Sequence, residues 1–497
     1  MKNARKQLQK TLALVCAACS FSALFGCASA QSQEIAPPNA ESLQTAFLEQ
    51  ADAPAEDFIP VFRMAVCSDI HIGTSGCSEK FDQFFKTTYA YAANNETYQK
   101  VDAIVVTGDL TQNPHRRPNS YAEYRGIVQR NLQRETVYLD LLGNHDLYGI
   151  SEEYYGIGLE LYKENIGEET DRHVTANGFH LIALSNPNEF AEYTKDQIEW
   201  LNAELDEAAI DDPKKPIFTF QHQKVASTTF GSGGWNASYH SKALSEAYAR
   251  YPQVVNFSGH SHSPATSPRS IWQGEFTALE AGPFLSVGVD DEDRFYYLGD
   301  GAGIKINGES FGYSTTGKNA RYYRIVEVDA QNRVRIYTID RETGEFAKTP
   351  STLDDPETEL IFEINDVTDP TTFTYTDARR DTAKAPYFEE GAELKIVRNQ
   401  VNADGTVSGM ELGFPQMQDE FCPYLYKIEW SSTDGVSWDK QTAYDCDEFL
   451  GGENIPYETV HIGKMRPGVE YEIKVTPVNL WGIEGEPLIQ KVTAAKK

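Results

Sequence analysis

The sequence predicts an α/β domain that is followed by an all-β domain. From Val61 onward, short apolar runs rich in β-branched residues alternate with segments of helical spacing. Most of these runs end in a short polar motif, and in open α/β sheets the edge at which the strands end is where sites are built. After Gly274 the helical segments give way to strands, which fits a second sheet packed on the first.

Periodicity and turn residues predict each element of the α/β part. Asn177-Gly178 lies between two apolar runs and predicts a tight β-hairpin, which His173 and His180 flank as structural residues. The predicted strands are 62–66, 103–107, 137–142, 172–176, 179–185, 217–221, 254–257, 276–279, 322–328 and 333–339. The predicted helices are 81–93, 119–134 and 194–209.

Length and charge limit the class of partner. A chain of 497 residues allows about three domains. Its 74 acidic residues outnumber its 44 basic residues and give a net charge of −30, which repels polyanions and makes long nucleic acid a poor partner. A small phosphate ester that is drawn to a local metal charge stays compatible with this balance.

The N-terminus predicts export. Four basic residues precede an apolar run, 11–25, that is shorter than the roughly 20 residues of a spanning helix. Leu24-Phe25-Gly26-Cys27 resembles a bacterial lipobox, so residues 1–27 are expected to be a signal peptide and Cys27 to carry a lipid that anchors the protein to a membrane. Residues 28–58 are expected to form a flexible tether. The protein would then be a cell-surface or periplasm-facing lipoprotein; cleavage after Ala30 would instead give a secreted protein.

Five short motifs carry the chemistry. They are Asp69-Ile70-His71, Gly108-Asp109, Gly143-Asn144-His145-Asp146, the single His222, and Gly259-His260-Ser261-His262. Side chains alternate faces in an extended segment, so Asp69 and His71 are expected to point into one cavity, as are His260 and His262. Carboxylate, amide oxygen and imidazole suit Mn, Fe, Zn or Ni, and two such divalent ions would clamp a phosphate.

With these motifs, residues 59–348 resemble the calcineurin-like metallophosphoesterase family. The resemblance implies a four-layer α/β/β/α sandwich and two divalent transition-metal ions. It implies one metal held by Asp69, His71 and His262, a second held by Asn144, His222 and His260, and Asp109 bridging both. In the implied reaction a metal-bridging hydroxide attacks phosphorus. His145 would stabilise the equatorial oxygens or protonate the leaving alcohol, and Asp146 would orient a histidine or a loop.

Departures from the family's subgroups narrow the expected substrate. Leu110-Thr111-Gln112-Asn113 follows Asp109, so the Asp-Arg pair of Ser/Thr protein phosphatases and the tyrosine ligand of purple acid phosphatases are both missing. The segment 146–149 departs from the 5′-nucleotidase pattern. A phosphodiesterase acting on small extracellular phosphate esters or nucleotides is favoured, with a phosphomonoesterase as the alternative. Candidate substrate contacts on the loop after Asp109 are Asn113, His115 and Arg116, which are otherwise ordinary surface residues.

The C-terminal part differs in character. Residues 349–383 are expected to be a linker, and residues 384–497 resemble a fibronectin type III sandwich with Tyr471 as the corner tyrosine. Such modules usually bind a ligand or act as spacers between domains, so a cell-surface or polymer ligand is expected here. A surface binding or adhesion protein that uses this sandwich is a second hypothesis, and a deletion of 384–497 that spared hydrolysis would separate the two roles. Cys422 and Cys446 could close a disulfide, and the sequence leaves both states open.

Overall fold

The computed structural model describes most of the chain beyond residue 57. The described ranges are 58–147, 152–167, 169–233, 237–238, 240–287, 320–350, 359–403, 407–420, 422–436, 440–446, 457–463 and 465–494. The expected signal peptide with Cys27, and the expected tether except for Phe58, lie outside these ranges. Within these ranges, no helix has the length and apolar character that spanning a bilayer requires.

Strands and helices alternate through the first two thirds of the chain. In order they are β1 (Pro60–Cys67), α1 (Cys77–Asn94), β2 (Ala103–Val106), α2 (Ser120–Asn131), β3 (Val137–Asp140), α3 (Asn144–Leu147), α4 (Glu152–Asn165), β4 (Arg172–Ala176), β5 (Phe179–Ala183), α5 (Lys195–Asp211), β6 (Ile217–Phe220), α6 (Ser241–Tyr248), β7 (Val254–Ser258), β8 (Ile271–Gln273), β9 (Thr277–Glu280), β10 (Tyr322–Asp329), β11 (Val334–Asp340), β12 (Ile361–Ile364), a 3₁₀ turn (Pro370–Thr372) and α7 (Arg379–Thr382).

These strands form two six-stranded mixed sheets. The first has the order β12-β11-β10-β1-β2-β3, with β1, β2 and β3 parallel. The second has the order β4-β5-β6-β7-β9-β8, with β5, β6, β7 and β9 parallel. Because parallel strands end at the same edge of a sheet, the loops after β1, β2 and β3 lie together, as do those after β5, β6 and β7.

Three hydrophobic clusters surround the sheets. One joins inward-facing residues of both sheets, such as Phe62 of β1 and Phe218 of β6, whose rings are 5.6 Å apart. A second packs α1 and α2 on the first sheet, and a third packs α5 and α6 on the second. The α/β fold with mixed sheets is therefore confirmed. The order helix, sheet, sheet, helix remains a prediction that these clusters favour.

The C-terminal part is all-β, as predicted. Its strands are β13 (Lys395–Val401), β14 (Val407–Pro415), β15 (Pro423–Ser432), β16 (Lys440–Asp445), β17 (Tyr457–Ile462), β18 (Glu470–Asn479) and β19 (Leu488–Thr493). They form an antiparallel three-stranded sheet, β13-β14-β17, and an antiparallel four-stranded sheet, β16-β15-β18-β19, which share one core. Within that core Cys422 and Cys446 are buried and are not bonded to each other.

The structure corrects the expected linker and contains helices that were not predicted, among them α4 and α6. Residues 361–364 form β12, which pairs with β11, so the first sheet extends beyond the predicted boundary at residue 348. Gln273 N–H donates to Tyr375 O, which fastens the following segment to the second sheet. The sequence did not predict α4, which contains Gly156 and Gly158 and has a weak intrinsic helical preference, or the short α6.

Candidate metal centre

The candidate ligands all follow the ends of strands. Asp69 and His71 follow β1, Asp109 follows β2, and Asn144 follows β3. The second sheet contributes His222 after β6 and a further pair after β7, His260 and His262. The structure brings these seven side chains together, and all of them except the half-buried His262 are buried.

The backbone at these positions is left-handed rather than extended. The φ angles are 54° at Asp69, 52° at His71, 51° at Asp109, 69° at His260 and 55° at His262. The predicted alternation of a strand is therefore wrong as the reason why neighbouring ligands share a cavity. The strands end before the ligands, and tight turns then aim the side chains inward. Non-glycine residues in this region are uncommon and concentrate at functional sites.

Glycines make room for the ligands, as their positions in the motifs suggested. Gly108 has a φ of 95°, and a Cβ there would lie 2.6 Å from Nδ1 of His222. A Cβ at Gly143 would overlap the Asp109 carboxylate, and one at Gly259 would lie 2.7 Å from Oδ2 of Asp69. The backbone thus approaches the ligands more closely than any side chain would allow.

Hydrogen bonds fix the orientation of three imidazoles. Nδ1–H donates to Gln112 Oε1 at 2.5 Å in His71, to Thr107 O at 2.8 Å in His222, and to Ser286 O at 2.9 Å in His262. Because the backbone carbonyls can only accept, the Nδ1 atoms of His222 and His262 carry the proton. Each Nε2 then faces the cavity, as in metal sites whose histidines are oriented by outer hydrogen bonds.

These nitrogens converge on the carboxylates. Nε2 of His71 lies 3.4 Å and Nε2 of His222 lies 3.2 Å from Oδ2 of Asp109, so this carboxylate stands between the two groups of ligands. Nε2 of His262 lies 3.3 Å from Oδ1 of Asp69.

A second convergence surrounds Asn144. Its Oδ1 lies 3.0 Å from Nε2 of His222 and 2.8 Å from Nδ1 of His260. His222 also falls in one possible ligand group with Asp69 and Asp109, whereas His71 and His262 share another with Asp69. His145 lies close enough to His71 and Asp109 to form a further group, and its ring centroid is 4.7 Å from that of His71.

The donor set fits divalent metal ions. Oδ1 of Asp69 and Nε2 of His71 are buried, and no hydrogen bond of acceptable geometry reaches either atom within the described ranges. Burial would raise the pKa values of Asp69 and Asp109, but the neighbouring histidines, His262 and His222 foremost, lower both below their usual range. Charged carboxylates beside inward-facing imidazole nitrogens are the ligands that Mn, Fe, Zn and Ni prefer.

Comparison with known proteins agrees with this geometry. Residues 62–264 match the model of the calcineurin-like phosphoesterase family. This part of the chain is a calcineurin-like phosphoesterase domain.

Two solved structures are each similar to part of the protein. A dimetal phosphatase from Danio rerio is 11% identical, with a TM-score of 0.38, over 57% of this chain and 97% of that chain. The fn3 domain of the human collagen alpha-1(XX) chain is 14% identical, with a TM-score of 0.17, over 23% of this chain and 89% of that chain. At TM-scores this low, neither structure bears on activity. No curated protein matches the chain.

Burial and neighbouring charges shift the pKa values of three histidines of this centre in opposite directions. Burial lowers the pKa of His145 to about 4 and that of His260 to about 3. Burial acts in the same direction at His222, but the facing Asp109 carboxylate outweighs it and raises that pKa to about 9. A cation between Asp109 and His222 would occupy the position that a proton otherwise holds.

Asp146 fastens the phosphoesterase loops together. Its carboxylate accepts hydrogen bonds from the backbone N–H groups of Leu110 at 3.0 Å, Thr111 at 2.9 Å and Gly143 at 2.9 Å. Burial, followed by the nearby Asp109 charge, raises the pKa of Asp146 to about 6. The residue thus holds the loops after β2 and β3 against each other.

The three candidate substrate contacts, Asn113, His115 and Arg116, lie on the loop that follows Asp109. Asn113 has a φ of 51°, and its N–H donates to His145 O at 3.2 Å, so the start of this loop is tied to the centre. His115 is half-buried and Arg116 is exposed, while the Arg116 N–H donates to Asn113 O. Of these three residues, Asn113 is directly hydrogen-bonded through its backbone to the candidate catalytic residue His145.

The sequence did not identify the residues that orient the ligands. Gln112 was notable only as a departure from another subgroup, yet it holds His71. Thr107 and Ser286 act through backbone carbonyls, which no residue type can signal. Lys224 is fully buried two residues beyond His222 and pairs with Glu280 of β9. Only its closeness in sequence to His222 could have drawn attention to it.

Proposed function

We propose that the protein is an exported, dinuclear metal-dependent phosphoesterase that cleaves small phosphodiesters. The observation that carries the proposal is the convergence of the seven ligands, with the Nδ1–H groups of three imidazoles engaged so that Nε2 faces the carboxylates. Asp69, His71 and His262 would hold one ion, Asn144, His222 and His260 the other, and Asp109 would lie between them. When bound, two such ions supply Lewis acidity toward the phosphoryl oxygens and lower the pKa of a bound water.

The chain's own residues would orient the phosphate ester and protonate its leaving group. Asp109 also accepts the backbone N–H of His145 at 2.7 Å, which couples the position of this histidine to that of the central carboxylate. The His145 imidazole, which lies beside His71, would donate a hydrogen bond to a phosphoryl oxygen or a proton to the leaving alcohol. Asn113 would border the substrate because its loop is hydrogen-bonded to the His145 carbonyl.

One feature of the loops supports a diester over a monoester. Lys224, the cation closest in sequence to a ligand of the second sheet, is committed to Glu280. The candidate ligands themselves are carboxylates, an amide and imidazoles. A diester carries one negative charge, whereas a monoester near neutral pH carries up to two, so the diester requires less additional positive charge from the protein.

Hydrolysis of bis-p-nitrophenyl phosphate and p-nitrophenyl phosphate by the purified protein tests the proposal. Each substrate is incubated with added Mn, Zn, Ni or Fe, and a chelated sample serves as the control. Faster diester cleavage that disappears on chelation is expected. Faster monoester cleavage would overturn the diester preference, and absence of turnover by metal-loaded protein would favour the binding-protein hypothesis.

We propose further that the enzyme acts outside the cytoplasm and is anchored through a lipid on Cys27. The basic first ten residues, the short apolar run and Leu24-Phe25-Gly26-Cys27 support this. Cys27→Ala should move the protein from the membrane fraction to the soluble fraction, and mass spectrometry should find the lipid only on the unaltered chain. Membrane association that survives this substitution would rule out the anchor.

We also propose that the C-terminal sandwich is of the fibronectin type III kind. The support is Tyr471, whose hydroxyl accepts the backbone N–H of Arg466 at 2.8 Å, a bond back to the preceding chain that is typical of a tyrosine corner. Tyr471→Phe keeps the ring and removes this bond, so it should lower the free energy of unfolding by about 1 kcal/mol. An unchanged urea midpoint would remove this support.

A further inference from the structure

A second group of titratable side chains lies on the helix-covered face of the second sheet. His173 of β4 and His180 of β5 belong to the hairpin, in which His173 pairs with Ile182 and His180 with Thr175. Neighbouring positions of the hairpin, such as Leu181, face the core between the sheets, so the two histidines lie on the opposite face, where Ile182 packs against α5.

Helix α5 presents three carboxylates to this pair. Glu204, Glu207 and Asp211 are spaced i, i+3 and i+7 and therefore lie along one side of the helix. That side is adjacent to the buried stripe that includes Leu205 and Ala208. Docking of the apolar stripe onto the sheet thus places the carboxylates over the hairpin.

A continuous chain of hydrogen bonds joins these residues. Nδ1 of His173 lies 2.6 Å from Oε2 of Glu204, and Nε2 of His173 lies 2.8 Å from Nδ1 of His180. Nε2 of His180 lies 3.1 Å from Oδ2 of Asp211. Three hydrogen bonds need three protons on the four ring nitrogens, but two neutral imidazoles carry only two. The chain is therefore completed by one additional positive charge.

A divalent cation can supply that charge at the Glu204 end. One nitrogen of His173 and one carboxylate oxygen each of Glu204 and Glu207 lie within 4.8 Å of one another. Ligands bound at about 2.0 to 2.2 Å at tetrahedral angles lie about 3.3 to 3.6 Å apart, so side-chain shifts of about 1 Å would close the site. Glu207 is exposed, which leaves the site open to ions from solvent.

We propose that His173, Glu204 and Glu207 bind a divalent transition-metal ion, separate from the catalytic pair. An ion on Nδ1 of His173 replaces the hydrogen bond to Glu204 and leaves Nε2–H to donate to His180, whose Nε2–H then donates to Asp211. Both imidazoles are then neutral, and the other two hydrogen bonds are kept. His180 and Asp211 thereby act as positioning residues, in the manner of the outer carboxylates of zinc sites. Mixed nitrogen and oxygen ligands favour Zn(II), Ni(II) or Cu(II) over Ca(II) or Mg(II).

The position in the fold separates this site from the catalytic centre. His180 lies near the start of β5, whereas the catalytic ligands of this sheet follow the opposite, carboxyl-terminal ends of the parallel strands. A bound ion would fasten β4, which is an edge strand, to α5. Its effect should therefore be on the stability of the hairpin and helix rather than on turnover.

Equilibrium dialysis of the purified full chain against Zn(II) tests the site. Glu207→Gln removes an exposed ligand without affecting the core. Glu199→Gln on the same helix is the matched control, because Glu199 is also exposed and pairs with the exposed Lys195. Glu207→Gln should bind one ion fewer per chain than the unaltered protein and the control. Asp211→Asn should weaken the same ion by about 10- to 100-fold. Equal zinc content and affinity in all four proteins would overturn the proposal.

A second measurement excludes interference from the catalytic ions. In a chain that carries Asp109→Asn, Zn(II) should still raise the melting temperature, and addition of Glu207→Gln should abolish that rise. If the rise persists in the double variant, the ion binds elsewhere and the site is wrong. The outcome does not depend on which ester the enzyme cleaves or on whether it cleaves one.

Discussion

At the scale of residues, single hydrogen bonds orient the imidazoles of the candidate metal centre. His71, His222 and His262 differ in the element that carries them, yet each donates Nδ1–H to an oxygen and turns Nε2 inward. A histidine without such a partner could present either nitrogen, and its ring would lose orientation on removal of the ion. The outer oxygens therefore prepare the centre for metal before any ion arrives.

Asp109→Asn should remove metal and activity together. The carboxylate faces Nε2 of both His71 and His222, and the amide would replace one of its oxygens with a group that donates hydrogen bonds. Loss of an outer partner alone typically costs about 10- to 100-fold in metal affinity, so loss of this central ligand should cost more. Metal content and diester hydrolysis measure the effect, with the exposed Asp381→Asn as the control. Full activity in Asp109→Asn would refute the site.

His145→Ala should retain the metals but slow turnover. The hydrogen bond from His145 to Asp109 uses the backbone N–H and survives the substitution, so the central carboxylate stays in place. Loss of a general acid should lower kcat by about 10²- to 10⁴-fold. Metal analysis beside single-turnover kinetics separates the two effects. A variant that lost its metals as well would show that His145 is itself a ligand.

Gly143→Ala should damage the centre through sterics alone. A methyl group at this position would overlap both the carboxylate and the backbone nitrogen of Asp109, and the backbone cannot rotate away as a flexible side chain can. Gly126→Ala, in α2, is the matched control, since a Cβ there meets nothing within 4 Å and should stabilise the helix by about 0.5 to 1 kcal/mol. Metal binding and hydrolysis should fall only in the first variant. Equal activity in both would contradict the close approach.

At the scale of elements, a buried ion pair supports the loop that follows His222. Lys224 Nζ donates to Phe230 O at 2.7 Å and pairs with Glu280 of β9, and both charged side chains are fully buried. Burial raises the pKa of Glu280, and Lys224 opposes that shift. The pair connects the loop between β6 and α6 to the second sheet, beside the strand that leads to His260.

Lys224→Met should destabilise the fold by about 3 to 5 kcal/mol. The substitution leaves the buried Glu280 carboxylate without its ion-pair partner, which is far costlier than loss of an exposed pair. Lys242→Met is the control, because the Lys242 side chain is 89% exposed where it pairs with Glu246. This substitution should change the free energy of unfolding by less than about 0.5 kcal/mol. Urea unfolding measures both variants. The double variant Lys224→Met with Glu280→Leu should recover much of the lost free energy of unfolding. If it does not, the loss in the single variant does not come from the unpaired Glu280 charge.

At the scale of the whole molecule, the sandwich packs on the loops that carry the ligands. Phe230, buried on the loop after His222, stacks edge-on against Tyr424 with ring centroids 5.4 Å apart. Arg269, a few residues beyond His262, donates to Leu480 O at 3.0 Å and lies 4.7 Å from the Trp481 ring. Deletion of 384–497 would expose this interface, so it would not separate attachment from hydrolysis cleanly.

Trp481→Ala should therefore lower both stability and turnover. Trp481 is buried beneath Arg269 and Arg379, and truncation of a buried tryptophan costs about 3 to 5 kcal/mol. The melting temperature and diester hydrolysis at saturating metal are the measurements. Ile489→Ala, on a 58% exposed side chain of the same sandwich, should leave both near their original values. A loss of stability without any change in turnover would show that the sandwich does not position the loops.

The sequence by itself determined the alternation of elements, the all-β character of the C-terminal part and the motifs that follow the strands. These features follow from periodicity, turn residues and residue type, which are local properties. It could not determine why Asp69 and His71 share a cavity, since tight left-handed turns replace the expected strand. Nor could it place β12 within the predicted linker.

Only the tertiary structure decided which nitrogen of each imidazole faces the centre. It also decided that Gln112 orients His71, that Arg269 lies against the sandwich, and that α5 brings its carboxylates to His173. Each of these contacts joins residues far apart in the chain, often through a backbone carbonyl that every residue type carries. The packing of the sheets, helices and sandwich determines which distant residues meet. Local sequence patterns carry no information about these contacts.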